Sequence, residues 1–248
     1  MRQLDLTGTE VDRAGLAVAY AYPEIPPRGW WLRANMVSTV DGAAVAPNGV
    51  TRGISSAADR DLLGMLRALA DVVIVGSSTA TKERYGPEKA RPEDAAFRAA
   101  AGQPPHATLA LVSSGLDLDP DAALFREADT RTLVLTTASA PPERLTALEK
   151  VADVIVAGDT VVDPKIAIAA LAERGHRRML CEGGPRWLAA LAAAGVLDEL
   201  CVTMSAKLLG GDAFRILRGG LVDAPLELAG VLAEGSDLFL RYRVAGPS

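Results

Sequence analysis

The sequence predicts an α/β fold in which a mostly parallel central sheet is flanked by helices and ends in an antiparallel C-terminal edge. Short apolar runs rich in β-branched residues, such as residues 71–76, are typical of strands buried on both faces of a parallel sheet. Stretches with apolar residues at helical spacing alternate with several of these runs, which is the pattern of βαβ units. The last two strand-like segments, residues 200–205 and 238–244, have alternating or mixed faces, and this favours an antiparallel edge.

The N-terminal third sets this pattern. Residues 1–28 end in a proline-rich connector and are predicted to form an irregular arm or a short helix before a single domain of residues 29–248. Residues 30–37 form an apolar run that ends in the turn Ser38-Thr39-Val40-Asp41-Gly42, as a strand leaving the core would. Hydroxyl caps at Ser55 and Ser56 precede four leucines at helical spacing, so residues 59–69 are predicted to be a helix.

The rest of the chain repeats the pattern. Further strands are predicted at residues 107–112, 132–135, 154–156 and 178–181, with helices near residues 142–150, 163–174 and 185–194. Residues 86–103 are rich in proline, alanine and charge. They are predicted to be a surface excursion with one or two helical turns, placed where it can line or cover a cleft.

Composition and charge exclude several classes of function. The chain has 248 residues, of which 49% are hydrophobic and 23% charged, an ordinary globular composition that fits one domain. The net charge is −5 and no basic run is interleaved with aromatic residues, so nucleic acid is not expected as a partner. No apolar run reaches the ~20 residues of a membrane-spanning helix, and residues 1–10 lack the pattern of a signal peptide.

Cysteine and histidine are scarce. Cys181 and Cys201 lie in strand-like apolar surroundings and are predicted to be buried and reduced, which fits a cytoplasmic protein. With His106 and His176 as the only histidines, the spacing matches no zinc-finger pattern, and no metal is expected.

The segment Met179-Leu180-Cys181-Glu182-Gly183-Gly184-Pro185-Arg186-Trp187-Leu188 is the strongest candidate site. A strand ends, two glycines let the backbone approach a ligand, and Pro185 suits the first turn of a helix whose free amides attract anions. The phosphate of a dinucleotide is the predicted ligand of this turn. The alternative is that the turn is only a tight connection between strand and helix. Glu182 favours a ligand site, because a carboxylate at the end of a buried strand needs a partner or a ligand donor.

A second strand end carries a glycine and hydroxyls, Gly76-Ser77-Ser78-Thr79. These groups are candidates to hydrogen-bond a cofactor amide, ribose or phosphate, and a capped loop is the alternative. The chain lacks the GxGxxG fingerprint of the usual dinucleotide fold, and it lacks a P-loop.

Three ordered motifs together resemble a known family. Residues 35–42, residues 66–79 and the stretch from Glu182-Gly183-Gly184-Pro185 to Lys207-Leu208-Leu209-Gly210-Gly211 are similar to the reductase domain of bacterial riboflavin-pathway deaminase-reductases. The match covers about residue 30 to the end. The resemblance implies a dihydrofolate reductase-like fold and a homodimer. It also implies NADPH-dependent reduction of 5-amino-6-(5-phosphoribosylamino)uracil to its ribitylamino form by hydride transfer.

The resemblance also assigns residues. It implies that one group of positions contacts the cofactor, namely Gly53, Thr79, Glu83, Ser113, Gly183, Gly184 and Pro185. It implies that a second group contacts the substrate, namely Thr51, Arg67 and Glu182. Gly76 and Ser78 join the cofactor group through the strand end described above.

The chain departs from the family at several positions. Thr39-Val40-Asp41-Gly42 stands for the family's Ser-Leu-Asp-Gly, Gly53 for a tryptophan, and Glu83-Arg84-Tyr85 for Asp-Asp-Pro. The family's phosphate-binding arginine falls near Ala90, with Arg91 adjacent. No motif of the zinc deaminase that often precedes this reductase is found, so deamination by that chemistry is not expected.

Several roles stay open at this level. Asp41 is a candidate acid or proton relay, and stabilising its own turn is the alternative. Glu182 is a second candidate for the catalytic centre, binding ring or ribityl donors. Arg67 can pair with a substrate phosphate or form a surface salt bridge. Lys207 can face the phosphate or be simply solvated.

Two rival functions accompany the main prediction. One is a reductase of dihydrofolate or another pteridine on the same scaffold, and the other is a nucleotide-binding protein without catalysis. The residues alone do not choose between NADPH and NADH, because the group that would meet a 2′-phosphate is not distinguished among Ser113, Ser114, Thr136, Thr137 and Arg84.

Overall fold

A computed structural model describes residues 8–89 and 91–245 of the chain, and in this part nine strands form one sheet. The strands are β1 (Trp31–Thr39), β2 (Val72–Gly76), β3 (Thr108–Val112), β4 (Leu133–Thr136), β5 (Asp153–Val156), β6 (Arg178–Cys181), β7 (Glu199–Ser205), β8 (Leu226–Glu234) and β9 (Asp237–Val244). Their order across the sheet is β5-β4-β3-β2-β6-β1-β7-β9-β8.

The first seven strands are parallel, and the last two form an antiparallel edge. β9 pairs antiparallel with both β7 and β8, whereas every pairing among β1 to β7 is parallel. The predicted fold class is therefore confirmed. Strand β8 was not predicted, because its alanines, glutamates and glycine have low β-propensity and it pairs on one side only.

Eight helices accompany the sheet in the described residues. They are α1 (Arg13–Ala19), α2 (Ala57–Leu69), α3 (Ser77–Lys82), α4 (Ala95–Ala100), α5 (Ala123–Arg126), α6 (Pro142–Glu149), α7 (Pro164–Glu173) and α8 (Pro185–Ala193). A 3₁₀ turn at Thr51–Gly53 precedes α2, and another at Pro92–Asp94 precedes α4. The predicted helical turns of residues 86–103 are the second of these 3₁₀ turns and α4.

Two apolar cores lie on opposite faces of the sheet. On one face α7 and α8 bury Ile168, Leu171 and Leu188. On the other face α2 buries Leu62 and Leu66 against the strands. The result is a three-layer arrangement in which the central strands are covered on both sides, as their continuous apolar sequences predict.

The N-terminal arm contains the predicted short helix, α1, and packs on the domain. Asp12 caps the helix by accepting a hydrogen bond from the Gly15 amide at 2.8 Å. Ala17 packs with Met65 of α2. Tyr20 is 3% exposed, so the arm is part of the buried structure. The division of the chain at residue 28 stays a prediction.

Arg33 of β1 forms a buried charge cluster beneath the arm. Its side chain is fully buried, and its Nε donates to Glu199 Oε1 at 2.7 Å. The ring of Tyr22 lies 4.2 Å from the guanidinium carbon, and the Tyr22 hydroxyl donates to the carbonyl of Met179 at 3.0 Å. The arm thus covers a charge that would otherwise need water.

Both cysteines are free and buried, as predicted. Burial raises the pKa of Cys181 and that of Cys201 to about 12, so neither is a ready nucleophile at neutral pH. Among the residues that the structure describes, no helix is long and apolar enough to span a bilayer.

Candidate functional site

The two candidate strand ends meet at the carboxyl edge of the sheet. β2 and β6 are neighbours, and the Gly76 amide donates to the Gly183 carbonyl at 2.9 Å, joining the turn after β2 to the turn after β6. The Gly183–Gly184 peptide bond is cis. Ligands of open α/β sheets bind at this edge, outside the carboxyl ends of the strands.

The glycines of this turn are required by close approach. A Cβ placed on Gly184 would lie 2.3 Å from Oγ1 of Thr79, the third residue of α3. Gly183 has a φ of +89°, and a Cβ there would lie 3.1 Å from Sδ of Met36. Three segments of the site therefore touch at the backbone of this turn.

Helix α8 begins at the turn with its amides available. Gly184 is the N-cap residue, no side chain caps it, and Pro185 occupies the first turn. The free amides and the helix dipole give this terminus a positive potential that suits a phosphate. The geometry that the sequence predicted for an anion site is present.

Two other predicted cofactor residues, Ser78 and Ser113, lie on elements next to this turn. Ser78 is exposed on α3, and Ser113 is 6% exposed directly after β3, the neighbour of β2. The Ser113 amide donates to the carbonyl of Leu135. No hydrogen bond joins Ser113 to the glycine turn within the described residues.

Thr51, Gly53 and Glu83 form a separate group. The Thr51 amide donates to Glu83 Oε1 at 2.8 Å, so Glu83 holds the start of the 3₁₀ turn. Lys207 Nζ donates to the Gly53 carbonyl at 2.7 Å, which ties the exposed C-terminal loop to the same turn. Of the two roles considered for Lys207, these contacts support neither a bound phosphate nor a purely solvated side chain.

Asp41 lies in the loop after β1 and stabilises backbone structure. One carboxylate oxygen accepts hydrogen bonds from the amides of Leu209 and Gly210, at 2.9 and 2.6 Å, and the other accepts from the Thr39 hydroxyl. The Thr39 hydroxyl and these two amides lower the pKa of Asp41 below its usual range. The hydrogen bond from Thr39 fits the alternative in which Asp41 stabilises its own turn, and the role as acid or proton relay stays a prediction.

Glu182 and Arg67 form a partly buried ion pair at the end of β6. Arg67 Nε donates to Oε1 of Glu182 at 2.7 Å, and Nη2 donates to Oε2 at 2.6 Å, which is a bidentate pair. Nη1 of Arg67 lies 3.0 Å from Glu88. Of the two alternatives for Arg67, the structure thus shows a salt bridge, although its side chain is only 25% exposed and its three nitrogens face carboxylates.

Tyr85 completes the group by donating its hydroxyl proton to Oε2 of Glu182. Its ring also lies 5.2 Å from the guanidinium carbon of Arg67. Burial would lower the pKa of Arg67, but the charges of Glu182 and Glu88 outweigh it and raise the pKa. Burial and the neighbouring Glu182 raise the pKa of Tyr85 well above its usual value, so Tyr85 remains a donor. Burial also raises the pKa of Glu88.

A basic pocket of about 360 Å³ opens beside this ion pair. Its lining includes two carboxylates, Glu83 and Glu88, and four cationic side chains, those of Arg67, Arg84, Lys89 and Arg91. The Arg91 guanidinium lies over Gly64 of α2, where a Cβ would be 2.5 Å from Nη1. The predicted phosphate position near Ala90 lies outside the described residues, but Arg91 next to it lines the pocket.

Tyr85, Glu88 and Lys89 were missed as site residues in the sequence. The only signals were the charge density of residues 82–91 and the departure of Glu83-Arg84-Tyr85 from the family pattern. No cluster of three or more histidine, cysteine, aspartate or glutamate side chains suited to a metal occurs among residues 8–89 and 91–245.

The sheet order and the site at its carboxyl edge define an α/β enzyme of the open-sheet class. The chain belongs to the RibD C-terminal domain family, whose match covers residues 30–240. This confirms the resemblance to the reductase domain of riboflavin-pathway deaminase-reductases, and the chain is an oxidoreductase.

Similar proteins carry consistent names. The 2,5-diamino-6-ribosylamino-4(3H)-pyrimidinone 5′-phosphate reductase of Methanothermobacter thermautotrophicus is 28% identical over 218 residues, 86% of this chain and 97% of that protein. The Archaeoglobus fulgidus protein of the same name is 26% identical over 71% of this chain and 80% of its own length.

Solved structures show the same fold. A pyrimidine reductase-like protein from Corynebacterium diphtheriae has a TM-score of 0.82 and 28% identity, covering 94% of this chain and 99% of that one. The riboflavin biosynthesis reductase Rib7 of Saccharomyces cerevisiae has a TM-score of 0.70 at 14% identity, covering 90% and 93% of the two chains. The second likeness shows the fold alone.

Proposed function

We propose that this protein is the pyrimidine reductase of riboflavin biosynthesis, which reduces a ribosylamino-pyrimidine 5′-phosphate to its ribitylamino form. The observation that carries the proposal is the junction at residues 182–184. There, an uncapped helix terminus, which suits the phosphate of a cofactor, follows Glu182, whose carboxylate is held by Arg67. Cofactor and substrate would meet at this turn.

NADPH is the proposed cofactor, and the residues present fit it. The cradle at Gly184, closed by Thr79, and the uncapped start of α8 suit its pyrophosphate. The bound nicotinamide would supply hydride. The protein's own part is to bind both partners in register, exclude water and fix the polar groups around the reacting carbon.

The proposed substrate site has Glu182 as a hydrogen-bond acceptor and lies beside the cationic side chains of the basic pocket. Glu182 accepts three hydrogen bonds and remains an acceptor, so we propose that it binds ring or ribityl donors and transfers no proton. Because Arg67 already faces two carboxylates, we propose that the phosphate is bound by Arg91 with Lys89 and Arg84 of the basic pocket.

The choice of pyrimidine concerns one ring substituent. The sequence resemblance indicates 5-amino-6-(5-phosphoribosylamino)uracil, whereas the relatives that match over most of their length are named for the 2,5-diamino-pyrimidinone. We propose a riboflavin-pathway pyrimidine in either case and expect the diamino form to be turned over better. A pteridine substrate and a non-catalytic role are not favoured, since the named relatives are pyrimidine reductases.

The decisive experiment is a steady-state assay of NADPH oxidation by the purified protein. The two pyrimidine phosphates and dihydrofolate would be compared, each with NADPH and with NADH. We expect turnover of the pyrimidines with NADPH and none of dihydrofolate. Turnover of dihydrofolate alone, or of no compound at all, would refute the proposal.

We also propose that the protein is a cytoplasmic homodimer. Strand β8 ends the sheet, and Leu226 and Leu228 on it are 42% and 53% exposed, with Leu221 nearby in sequence at 98%. An apolar edge strand of this kind is a candidate subunit contact. Free, buried cysteines support a reducing compartment. Sedimentation velocity would give the mass in solution, and a monomer at micromolar concentration would contradict the dimer.

A further inference from the structure

The Glu182 carboxylate accepts a hydrogen bond from Tyr85, a residue to which the resemblance assigns no role. Oε1 accepts from Arg67 Nε, while Oε2 accepts from both Arg67 Nη2 and the Tyr85 hydroxyl. A carboxylate has about four lone-pair sites, so three are used and the one left free lies on Oε1. Glu182 is 8% exposed and cannot turn without breaking these bonds.

Local structure explains why Tyr85 reaches this position. Helix α3 ends in a Schellman motif, in which the Tyr85 amide donates to the Ala80 carbonyl and the Arg84 amide donates to the Thr81 carbonyl. Arg84 takes the left-handed conformation of the motif, with a φ of 55°. This reversal directs the chain after α3 back towards the end of β6, where Tyr85 lies against Arg67 and Glu182.

Arg67 is the one cation of this group, and it is paired with both carboxylates without a ligand. Arg67 lies between Glu182 and Glu88, and its guanidinium faces the Tyr85 ring. Arg67 therefore serves to fix Glu182, and Tyr85 fixes it from the other side. The free site on Oε1 is the one that a substrate donor would meet.

We propose that Tyr85 is a positioning residue that, with Arg67, orients the Glu182 carboxylate so that one acceptor site faces the pyrimidine substrate. This inference rests on the proposed function. It adds a residue from the segment Glu83-Arg84-Tyr85, where this chain departs from its family, and it gives Arg67 an orienting role in place of phosphate binding.

The test is the variant Tyr85→Phe, which keeps the ring on Arg67 and removes the hydroxyl. We expect the KM for the pyrimidine to rise about tenfold, the effect of one charge-assisted hydrogen bond. The dissociation constant for NADPH should stay unchanged. The matched control is Tyr22→Phe, which removes a hydroxyl bonded to the Met179 carbonyl and should leave the pyrimidine KM unchanged.

A double-mutant cycle with Glu182→Gln provides a second readout. Because Tyr85 acts through Glu182, adding Tyr85→Phe to Glu182→Gln should raise the KM by less than twofold. Full additivity of the two substitutions in the cycle, or an unchanged pyrimidine KM in Tyr85→Phe, would overturn this inference. Turnover by the wild-type protein would in that case leave the proposed function intact. A wild-type protein that neither reduces nor binds the pyrimidine would overturn both.

Discussion

Thr79 and Gly184 approach each other so closely that no β-carbon fits between them. The Thr79 hydroxyl belongs to the helix after β2, and Gly184 begins the helix after β6. A Cβ on Gly184 would lie 2.3 Å from that hydroxyl oxygen. The proposed cofactor site is therefore formed by two turns that touch through Thr79 and Gly184, which are 105 residues apart in the chain.

The variant Gly184→Ala should lose NADPH binding. Overpacking of this kind costs about 1–3 kcal/mol, and the turn must move to relieve it. We expect NADPH to bind at least about tenfold more weakly, measured by quenching of tryptophan fluorescence, since Trp187 lies in the first turn of α8. Adenosine triphosphate should not produce the quenching in wild type.

Two further variants control this prediction. Gly220→Ala adds a methyl group where nothing lies within 4 Å, and it should bind NADPH normally. The double variant Thr79→Ala, Gly184→Ala removes the hydroxyl with which the new β-carbon would clash. It should therefore fold even if Gly184→Ala does not, so that NADPH binding can still be measured. An unchanged dissociation constant in Gly184→Ala would mean that the cofactor phosphate binds elsewhere.

The variant Arg84→Gly should stabilise the protein by about 0.5–1 kcal/mol. Arg84 holds the left-handed position of a Schellman motif, which a residue with a β-carbon adopts at a cost. Thermal denaturation would measure the gain. Arg84→Ala removes the charge and keeps the β-carbon, so it should show no gain, and equal stabilisation by both variants would contradict the explanation.

The variant Asp71→Asn should lose stability in a pH-dependent way. Burial would raise the pKa of Asp71, but hydrogen bonds from the Arg178 amide, the Gln103 side chain and the Arg178 guanidinium lower it. A lowered pKa contributes stability above the unfolded-state value of about 4, and this contribution is lost as the pH falls through the folded-state pKa. We expect a loss of about 2–3 kcal/mol at pH 7, measured by urea denaturation.

The difference between Asp71→Asn and wild type should narrow as the pH falls below about 4. Asp153→Asn is the control, because its ion pair with Arg131 is exposed and should contribute at most about 1 kcal/mol. A difference between Asp71→Asn and wild type that stays constant from pH 7 to pH 3 would contradict the assigned cause.

The variant Asp41→Asn should keep most of the turnover. A carboxamide oxygen can still accept from the Leu209 and Gly210 amides, so the loop stays attached. We expect kcat within about threefold of wild type, whereas loss of a general acid costs at least about a hundredfold. Asp41→Ala should instead make residues 206–211 easier to cleave by protease. A hundredfold fall in kcat for Asp41→Asn would support the acid role and contradict this expectation.

The sequence predicted the elements whose local patterns agree with their final environment. β2 has a continuous apolar run and α2 has apolar residues at helical spacing, and both patterns match the burial of these elements. The two glycines of the Gly183-Gly184-Pro185 turn indicate a close approach of the backbone. The meeting of the β2 and β6 turns follows from parallel strands ending at one edge. The family resemblance supplied the activity.

Other features depend on contacts that no local pattern encodes. Tyr85 and Glu182 are 97 residues apart, and the hydrogen bond between them depends on the left-handed Arg84. The attachment of Asp41 to the C-terminal loop could not be predicted for the same reason, because the amides of Leu209 and Gly210 that donate to its carboxylate lie more than 160 residues further along the chain.

The tyrosines of the N-terminal arm carry a practical consequence. Tyr20 and Tyr22 lie against the guanidinium of Arg33, whose Nη1 and Nη2 have no hydrogen-bond partner among the described residues. A recombinant protein shortened to the proline-rich connector would bring water to a charge in the middle of the sheet. We therefore expect the smallest stable version of the enzyme to begin before Tyr20, even though the family match begins at residue 30.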